Sequence, residues 1–426
     1  MLIPLQRGLL VVAIILLVVS GVMVTHSAIA APLVAPFAQS NPGSPSVCTW
    51  FDCKAGAISY SQDDAANINP TLPDTNSCQA ALENAGLRGT FFYDGDNSTT
   101  PAWLSILSNA GHEVGSHLVS HQLNCTMPPP CFPDCTITAL LQTSYTADDV
   151  ANFRQNQIDP NVAAIESYTE KPVVSMAYPC GNTDMGRMTA AQDYYLGARS
   201  YYDPYDSNFT WVYDTNPSAP PYPMILNSDT YFSQPLVDKA IAENGWEIIT
   251  VHDFCPGVDV LQSISNTTWV APIGDVSKYI HVRNATQFSN YVRAGYFITF
   301  DVVSTAETFQ RQQLDGTPLL PIIFDNPVTI RAPITLTAGV VGVQLNGSPV
   351  SYTVGVISGT NYVWFNTPLT LAQHVAIQLD TPTAVRVSML QAVGSAPDVP
   401  PLPIIAGSTG VGLAALWVQR RRQRGY

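Results

Sequence analysis

Short apolar runs alternate with stretches of helical apolar spacing between about residues 48 and 300. The runs that predict strands lie at residues 56–60, 89–93, 112–115, 172–176 and 246–251. The stretches that predict helices lie at residues 76–86, 101–109 and 237–244, with a glycine at or just past each end. Strands that alternate with helices favour an α/β fold with a parallel sheet, either open or closed into a barrel.

The pattern changes after about residue 297 to short β-rich runs without helical spacing. These runs lie at residues 296–302, 328–336, 340–345, 352–357, 362–365, 374–379 and 384–389. Turn dipeptides such as Asn346-Gly347 and Ser358-Gly359 separate them. Residues 297–392 are therefore predicted to form a small all-β, sandwich-like domain.

The first thirty residues have the pattern of an export signal. Arg7 precedes an apolar run over residues 9–24, and Ala28-Ile29-Ala30 offers a small-x-small cleavage site. Residues 1–30 are predicted to be a signal peptide, with an uncleaved anchor as the alternative. Residues 31–47, rich in Pro, Ala and Ser, are a predicted linker.

The carboxyl end carries a second membrane signal. A Pro-rich linker at residues 393–403 leads into an apolar stretch and then a cluster of four arginines between residues 420 and 424. Residues 404–426 are predicted to be a membrane anchor or a sorting segment with a basic tail. We therefore expect an extracellular, secreted protein that is tethered to the membrane or the cell wall at its carboxyl end.

Composition and charge limit the classes of molecule that the protein can bind. Hydrophobic residues make up 46% of the chain and charged residues 12%, and the formal net charge is −14. An acidic surface repels phosphates, so nucleic acid is excluded as a partner. The even number of cysteines in an exported chain predicts disulfides, whose pairing stays open together with the oligomeric state. The cysteines are Cys48, Cys53, Cys78, Cys125, Cys131, Cys135, Cys180 and Cys255.

Polar groups follow four of the predicted strands. They are the Asp63-Asp64 pair, His117, the turn at residues 179–181, and His252. In parallel barrels the carboxyl ends of the strands assemble the active site, so we expect these groups to converge. His117 and His121 are four residues apart, which brings both rings to one side of a helical turn. Two histidines and a carboxylate form the three-ligand, open-position site of catalytic zinc.

Four motifs in order resemble those of the NodB-homology polysaccharide deacetylases, also called carbohydrate esterase family 4, over residues 55–255. The motifs are Ser61-Gln62-Asp63-Asp64-Ala65, a segment from Gly111-His112-Glu113 to Ser116-His117-Leu118-Val119-Ser120-His121, Tyr178-Pro179-Cys180-Gly181, and Thr250-Val251-His252. The resemblance implies a distorted (β/α) barrel over residues 48–296, ahead of the all-β domain.

The resemblance also implies roles for the site residues. Asp63 would be the general base and His252 the general acid of acetyl hydrolysis. The ligands of Zn²⁺, or of another divalent metal such as Co²⁺, would be Asp64, His117 and His121. The turn that binds substrate and oxyanion would be Tyr178, Pro179, Cys180 and Gly181. The polysaccharide would be a chitin-like or peptidoglycan glycan, or an acetylated xylan, with N- or O-linked acetyl groups.

Departures from the family pattern leave alternatives open. Gln62 stands where the family has an aromatic residue, Leu118 where it has Ser or Thr, and Ala177 where many members have an Arg that orients the base. The second hypothesis is therefore a catalytically impaired surface lectin or adhesin. A third is a metallohydrolase that acts on C–N bonds of small molecules.

Overall fold

The computed structural model describes residues 43–64, 78–95, 102–120, 146–181, 185–200, 215–220, 223–252, 255–334 and 339–380. The predicted signal peptide, the Pro-rich linker and the segment at residues 404–426 lie outside these ranges. None of the helices in the described part of the chain combines the length and apolar character that a membrane span needs.

A parallel sheet forms the first part of the fold, after a short strand β1 (Ser46–Val47). Its strands are β2 (Ala57–Gln62), β3 (Thr90–Tyr93), β4 (Glu113–Ser116), β5 (Ser175–Ala177), β6 (Gly197–Arg199), β7 (Trp246–Val251) and β8 (Trp269–Val270). They are ordered β6-β5-β4-β3-β2-β7, and β8 pairs with β2. The curled parallel sheet confirms the predicted α/β barrel of the NodB type.

Helices lie between the strands along the chain. They are α1 (Cys78–Asn84), α2 (Ala102–Asn109), α3 (Ala147–Phe153), α4 (Asp159–Thr169), α5 (Met185–Ala191), α6 (Gln234–Glu243), α7 (Val258–Ile264) and α8 (Ile273–Asn284). Helix α2 illustrates their packing, because Trp103, Leu104 and Leu107 share its buried face. Gly111 follows it with a φ of 89°, in the left-handed region where glycine is favoured.

Residues 226–229 occupy the opening between β6 and β7. Leu226 forms a parallel bridge with Arg199 of β6, and Asp229 forms one with Ile249 of β7. The backbone of Asp229 exchanges hydrogen bonds of 2.9 and 2.7 Å with Ile248 and Thr250. The sheet is therefore linked across its open side.

Two antiparallel sheets form the second part of the fold. Their further strands are β9 (Thr286–Ala294), β10 (Phe297–Ser304), β11 (Val328–Pro333), β12 (Val340–Leu345), β13 (Ser348–Val350), β14 (Thr353–Ile357), β15 (Thr360–Thr367) and β16 (Gln373–Leu379). The sheets run β1-β11-β15-β14 and β13-β12-β16-β10-β9. Phe300 and Ile377 from one sheet share a buried cluster with Ile330 and Phe365 from the other. The all-β part is confirmed over the described residues: β1 joins it from residues 46–47, and β9 begins at Thr286, ahead of residue 297. The strand predicted at residues 384–389 lies outside the described ranges.

The chain returns from the antiparallel part to the barrel through residues 305–325, which we call the strap. Phe309 pairs with Ile322 within it. The guanidinium of Arg311 donates to the Val173 and Tyr194 carbonyls at 3.0 and 3.1 Å. Because these carbonyls precede β5 and β6, the strap covers the amino end of the barrel.

Candidate active site

The carboxyl ends of β2, β4 and β7 bring four predicted site residues together. Asp63 and Asp64 follow β2, His117 follows β4, and His252 follows β7. Asp64 lies between the histidines: its Oδ1 is 3.6 Å from Nε2 of His117, and its Oδ2 is 3.9 Å from Nε2 of His252. The Asp63 amide donates to the Val251 carbonyl at 2.9 Å, so the β2–β7 pairing continues into the site.

The environment of His117 suits a metal ligand. Its Nδ1 lies 2.9 Å from the Ala177 carbonyl, which can only accept, so this nitrogen carries the proton. Nε2 is then left with a lone pair on the side of Asp64. Burial lowers the pKa of His117, with Asp63 acting in the opposite direction, and the ring stays neutral. A neutral imidazole beside a carboxylate is a donor set that zinc and similar divalent ions prefer.

His121, the third predicted ligand, lies outside the described residues. Within the described ranges, no three His, Cys, Asp or Glu side chains are grouped as a metal site. Asp64 and His117 are adjacent, and His121 follows His117 by four positions. The Asp64 carboxylate and the neutral His117 ring are donor types that suit a divalent ion, and His121 as a third ligand stays a prediction.

Arg199, at the end of β6, is a site residue that the sequence prediction missed. Its guanidinium donates to Oδ1 of Asp63, and the two side chains are 0% and 2% exposed. The guanidinium also lies 5.2 Å from the centre of the Phe92 ring and 3.3 Å from the Ser228 hydroxyl. An Arg at position 199 thus reaches the carboxylate that family members orient from the position of Ala177. The available signal was a cation directly at the end of a short apolar run.

Arg199 determines the charge state of Asp63. Burial alone would raise the pKa of the Asp63 carboxyl, but the charge and the hydrogen bond of the Arg199 guanidinium outweigh burial and hold this pKa below its usual value. Asp63 is therefore a carboxylate at neutral pH, fixed in position by a charge-assisted hydrogen bond.

The backbone bends directly after His117. Leu118 has a φ of 67°, a conformation that branched side chains rarely adopt, and its side chain packs in the core. The Asn161 amide, from α4, donates to the Leu118 carbonyl at 2.7 Å and to the Tyr93 carbonyl at 3.2 Å. A helix side chain therefore holds this turn, at the place where Ser or Thr would steady it in the family pattern.

The third motif contributes backbone rather than a tyrosine ring. The Tyr178 side chain is 0% exposed and its hydroxyl donates to the Met224 carbonyl at 3.1 Å, so it is a core residue. Pro179–Gly181 form a 3-10 turn, in which the Gly181 amide donates to the Tyr178 carbonyl. The Ser200 hydroxyl donates to the Gly181 carbonyl at 2.8 Å. The Tyr178 ring therefore faces the interior, and the oxyanion and substrate turn at residues 178–181 stays a prediction.

Residues 58–197 match the family model described as "Polysaccharide deacetylase". Among individual proteins, the chain is 23% identical over 357 residues to a gellan lyase of a Bacillus species. That match covers 75% of this chain and 13% of the lyase, so the chain spans a small part of that relative.

Several solved structures show a likeness over about half of the chain. The Xyl-CE4 domain of a multidomain xylanase from the hindgut metagenome of Trinervitermes trinervoides is 18% identical, covering 52% of this chain and 89% of that one, at a TM-score of 0.31. A family 4 acetyl xylan esterase from Clostridium thermocellum is 15% identical, with coverages of 52% and 89% and a TM-score of 0.30. A CE4 family pseudoenzyme from Bacillus anthracis is 13% identical, with coverages of 52% and 65% and a TM-score of 0.30.

Proposed function

The chain carries a domain of the NodB-homology polysaccharide deacetylase family, and on that premise we propose that it hydrolyses acetyl groups from an extracellular polysaccharide. The observation that supports this proposal is the buried Arg199–Asp63 pair beside Asp64, His117 and His252. A protein that only binds glycans needs neither a carboxylate kept ionised in a buried position nor a histidine at the mouth of the same site.

The proposed reaction uses Asp63 and His252 in turn. A water molecule attacks the acetyl carbonyl carbon, and the Asp63 carboxylate takes its proton. The C–N or C–O bond to the sugar then breaks, and protonated His252 gives its proton to the departing amine or alcohol. The products are acetate and the deacetylated sugar. The His252 side chain is 45% exposed, so a polymer can approach it from solvent.

Asp64, His117 and His121 would hold the divalent metal, with Zn²⁺ as the expected ion. A bound metal supplies Lewis acidity towards the acetyl carbonyl and makes a coordinated water more acidic. The Cys180 backbone N–H is the protein group that we expect to face the oxyanion. Nε2 of the neutral His117 ring and Oδ1 of the Asp64 carboxylate lie 3.6 Å apart, and both are donor types that a divalent ion would take.

The location and the tether belong to the proposal as well. The apolar and small-residue pattern of residues 1–30 supports export, and the apolar stretch with its arginines at residues 404–426 supports a tether at the cell surface. A chitin-like or peptidoglycan glycan is the leading substrate class because such polymers carry N-acetyl groups outside the cell.

Acetate release from the full chain tests the function. The substrates are N-acetylglucosamine oligomers, a peptidoglycan glycan and acetylated xylan, each with added zinc and after chelation. We expect release by the wild type, a loss of about 10²-fold or more in Asp63→Ala, and restoration of the chelated enzyme by zinc. Stoichiometric metal binding with no acetate from any substrate would reject the enzyme and favour the lectin hypothesis.

A further inference from the structure

Strand β2 places Tyr60 and Gln62 on one face and Asp63 on the other, because side chains alternate along a strand. Asp63 faces Arg199, whereas Tyr60 belongs to the buried cluster that also contains Leu82 of α1 and Leu261 of α7. Gln62 is 7% exposed. It is therefore a buried polar residue on the side of β2 that faces away from the catalytic groups.

The segment that carries His252 is attached at three points, two on this face of β2 and one on α1. The Gln62 amide nitrogen donates to the His252 carbonyl at 2.6 Å. The Tyr60 hydroxyl donates to the Pro256 carbonyl at 3.1 Å. Between them, a disulfide joins Cys255 to Cys78, the first residue of α1. Gln62 is the attachment nearest to the ring that we assign as the acid.

The chemistry of the amide explains why glutamine matters at this position. The His252 carbonyl can only accept, so the amide must present its nitrogen, and its oxygen points elsewhere. Among the described residues, that buried oxygen has no hydrogen-bond partner. A buried unsatisfied acceptor is a poor means of stabilising a fold. An aromatic side chain, as the family has here, would avoid this defect but would make no such bond to the backbone.

We propose that Gln62 is a positioning residue for His252, holding the main chain of the acid so that the exposed ring meets the leaving group. The proposal rests on the proposed function. It assigns a task to a departure from the family pattern that otherwise favours an impaired site.

The test separates proton donation from the rest of the reaction. Gln62→Met keeps the length of the side chain and removes the donor, and Tyr60→Phe is the matched control because it removes a bond to the same segment beyond the disulfide. N-acetylglucosamine oligomers have a leaving group that needs a proton, whereas 4-nitrophenyl acetate has one that does not. We expect Gln62→Met to lose ten- to hundredfold in kcat on the oligomers at unchanged KM, and less than twofold on the ester.

A double-mutant cycle makes the assignment specific. In a His252→Ala background, Gln62→Met should cause no further loss on the oligomers, because the group that it positions is absent. Tyr60→Phe should lower the midpoint of thermal unfolding, and any loss of kcat should be the same on the oligomers and on the ester. The proposal would be overturned if Gln62→Met lost equal activity on the oligomers and on the ester. It would also be overturned if Tyr60→Phe lost activity on the oligomers alone.

An NMR measurement that needs no catalytic turnover distinguishes this proposal from the proposed function on which it rests. The ¹³C–¹H signal of the His252 ring, assigned through His252→Ala, should shift in Gln62→Met and stay in place in Tyr60→Phe. If the wild type releases no acetate but the signal shifts, the function fails and the positioning stands. An unchanged signal in Gln62→Met refutes the positioning whatever the activity.

Discussion

Replacing Arg199 with methionine removes the guanidinium from a buried ion pair while keeping most of its volume. The Arg199 and Asp63 side chains are 0% and 2% exposed, so water cannot replace the lost partner. Breaking a buried pair by removing one partner costs about 3–5 kcal/mol of unfolding free energy. We expect Arg199→Met to fall in this range, and a second change, Asp63→Asn, to recover part of the loss.

The variant should also reverse the pH dependence that Asp63 gives to stability. In the wild type the pKa of Asp63 is lowered, so its contribution is present above the unfolded value of about 3.9 and is lost as the pH falls. Without Arg199, burial raises this pKa, and the variant should lose stability as the pH rises above about 4. The acid limb of the kcat/KM profile should move to higher pH, because the base is ionised only there.

Arg311→Met is the matched control. Arg311 pairs with Glu166 at the amino end of the barrel, and the two side chains are 0% and 6% exposed. Its urea-unfolding loss should match that of Arg199→Met, but the acid limb of its activity profile should not move. The reasoning would be refuted by an unmoved acid limb in Arg199→Met, or by the same displacement in both variants.

Three further predictions concern the stability of the fold. Burial lowers the pKa of His112 to about 4, so the unfolded chain takes up this proton at a higher pH than the folded protein does. The unfolding free energy should therefore drop by up to ~3 kcal/mol as the pH falls from about 6.5 to 4. His112→Gln, compared with the wild type by urea unfolding, should flatten this slope. Cys78→Ser with Cys255→Ser opens a loop of 177 residues and should cost about 5 kcal/mol; a reductant should lower the unfolding free energy of the wild type by more than that of the double variant, which keeps the Cys48–Cys53 disulfide. A chain that ends before the strap should fail to fold cooperatively, because Glu166 loses Arg311; a single sharp thermal transition in that truncated chain would contradict this.

The parallel sheet and four site residues could be predicted because their signals are local. Strand β7 is a mostly apolar run that leads directly into His252, and β2 is a fully buried strand that leads directly into Asp63. Parallel strands share one carboxyl edge, so position along the sequence was enough to bring Asp64, His117 and His252 together. The antiparallel strands had equally local signals in their turn dipeptides.

The rest of the fold and of the site depends on contacts between residues far apart in the chain, which leave no local pattern in the sequence. Strand β6 is three residues long, too short to show a period, and its Arg199 meets Asp63 across 136 positions. Strand β9 is half-exposed along its length, which hides its alternation. The strap has little regular structure, so only its contacts with the barrel reveal what it does. Gln62 could be recognised in the sequence as a departure from the family pattern, but its hydrogen bond to the His252 carbonyl is seen only in the folded structure.

The strap has a consequence for how the molecule is made. Synthesis proceeds from the amino end, and domains that are local in sequence can fold as they emerge from the ribosome. Here Glu166 can form its ion pair only after Arg311, 145 positions later, has been synthesised. Strand β1 likewise needs β11, where Arg331 pairs with Ser46 and Ile330 pairs with Val47. Strand β1 therefore finds its partner only after translation has passed the strap. The barrel is encoded first, but its amino end is covered late, and contacts of such long sequence separation make folding slow.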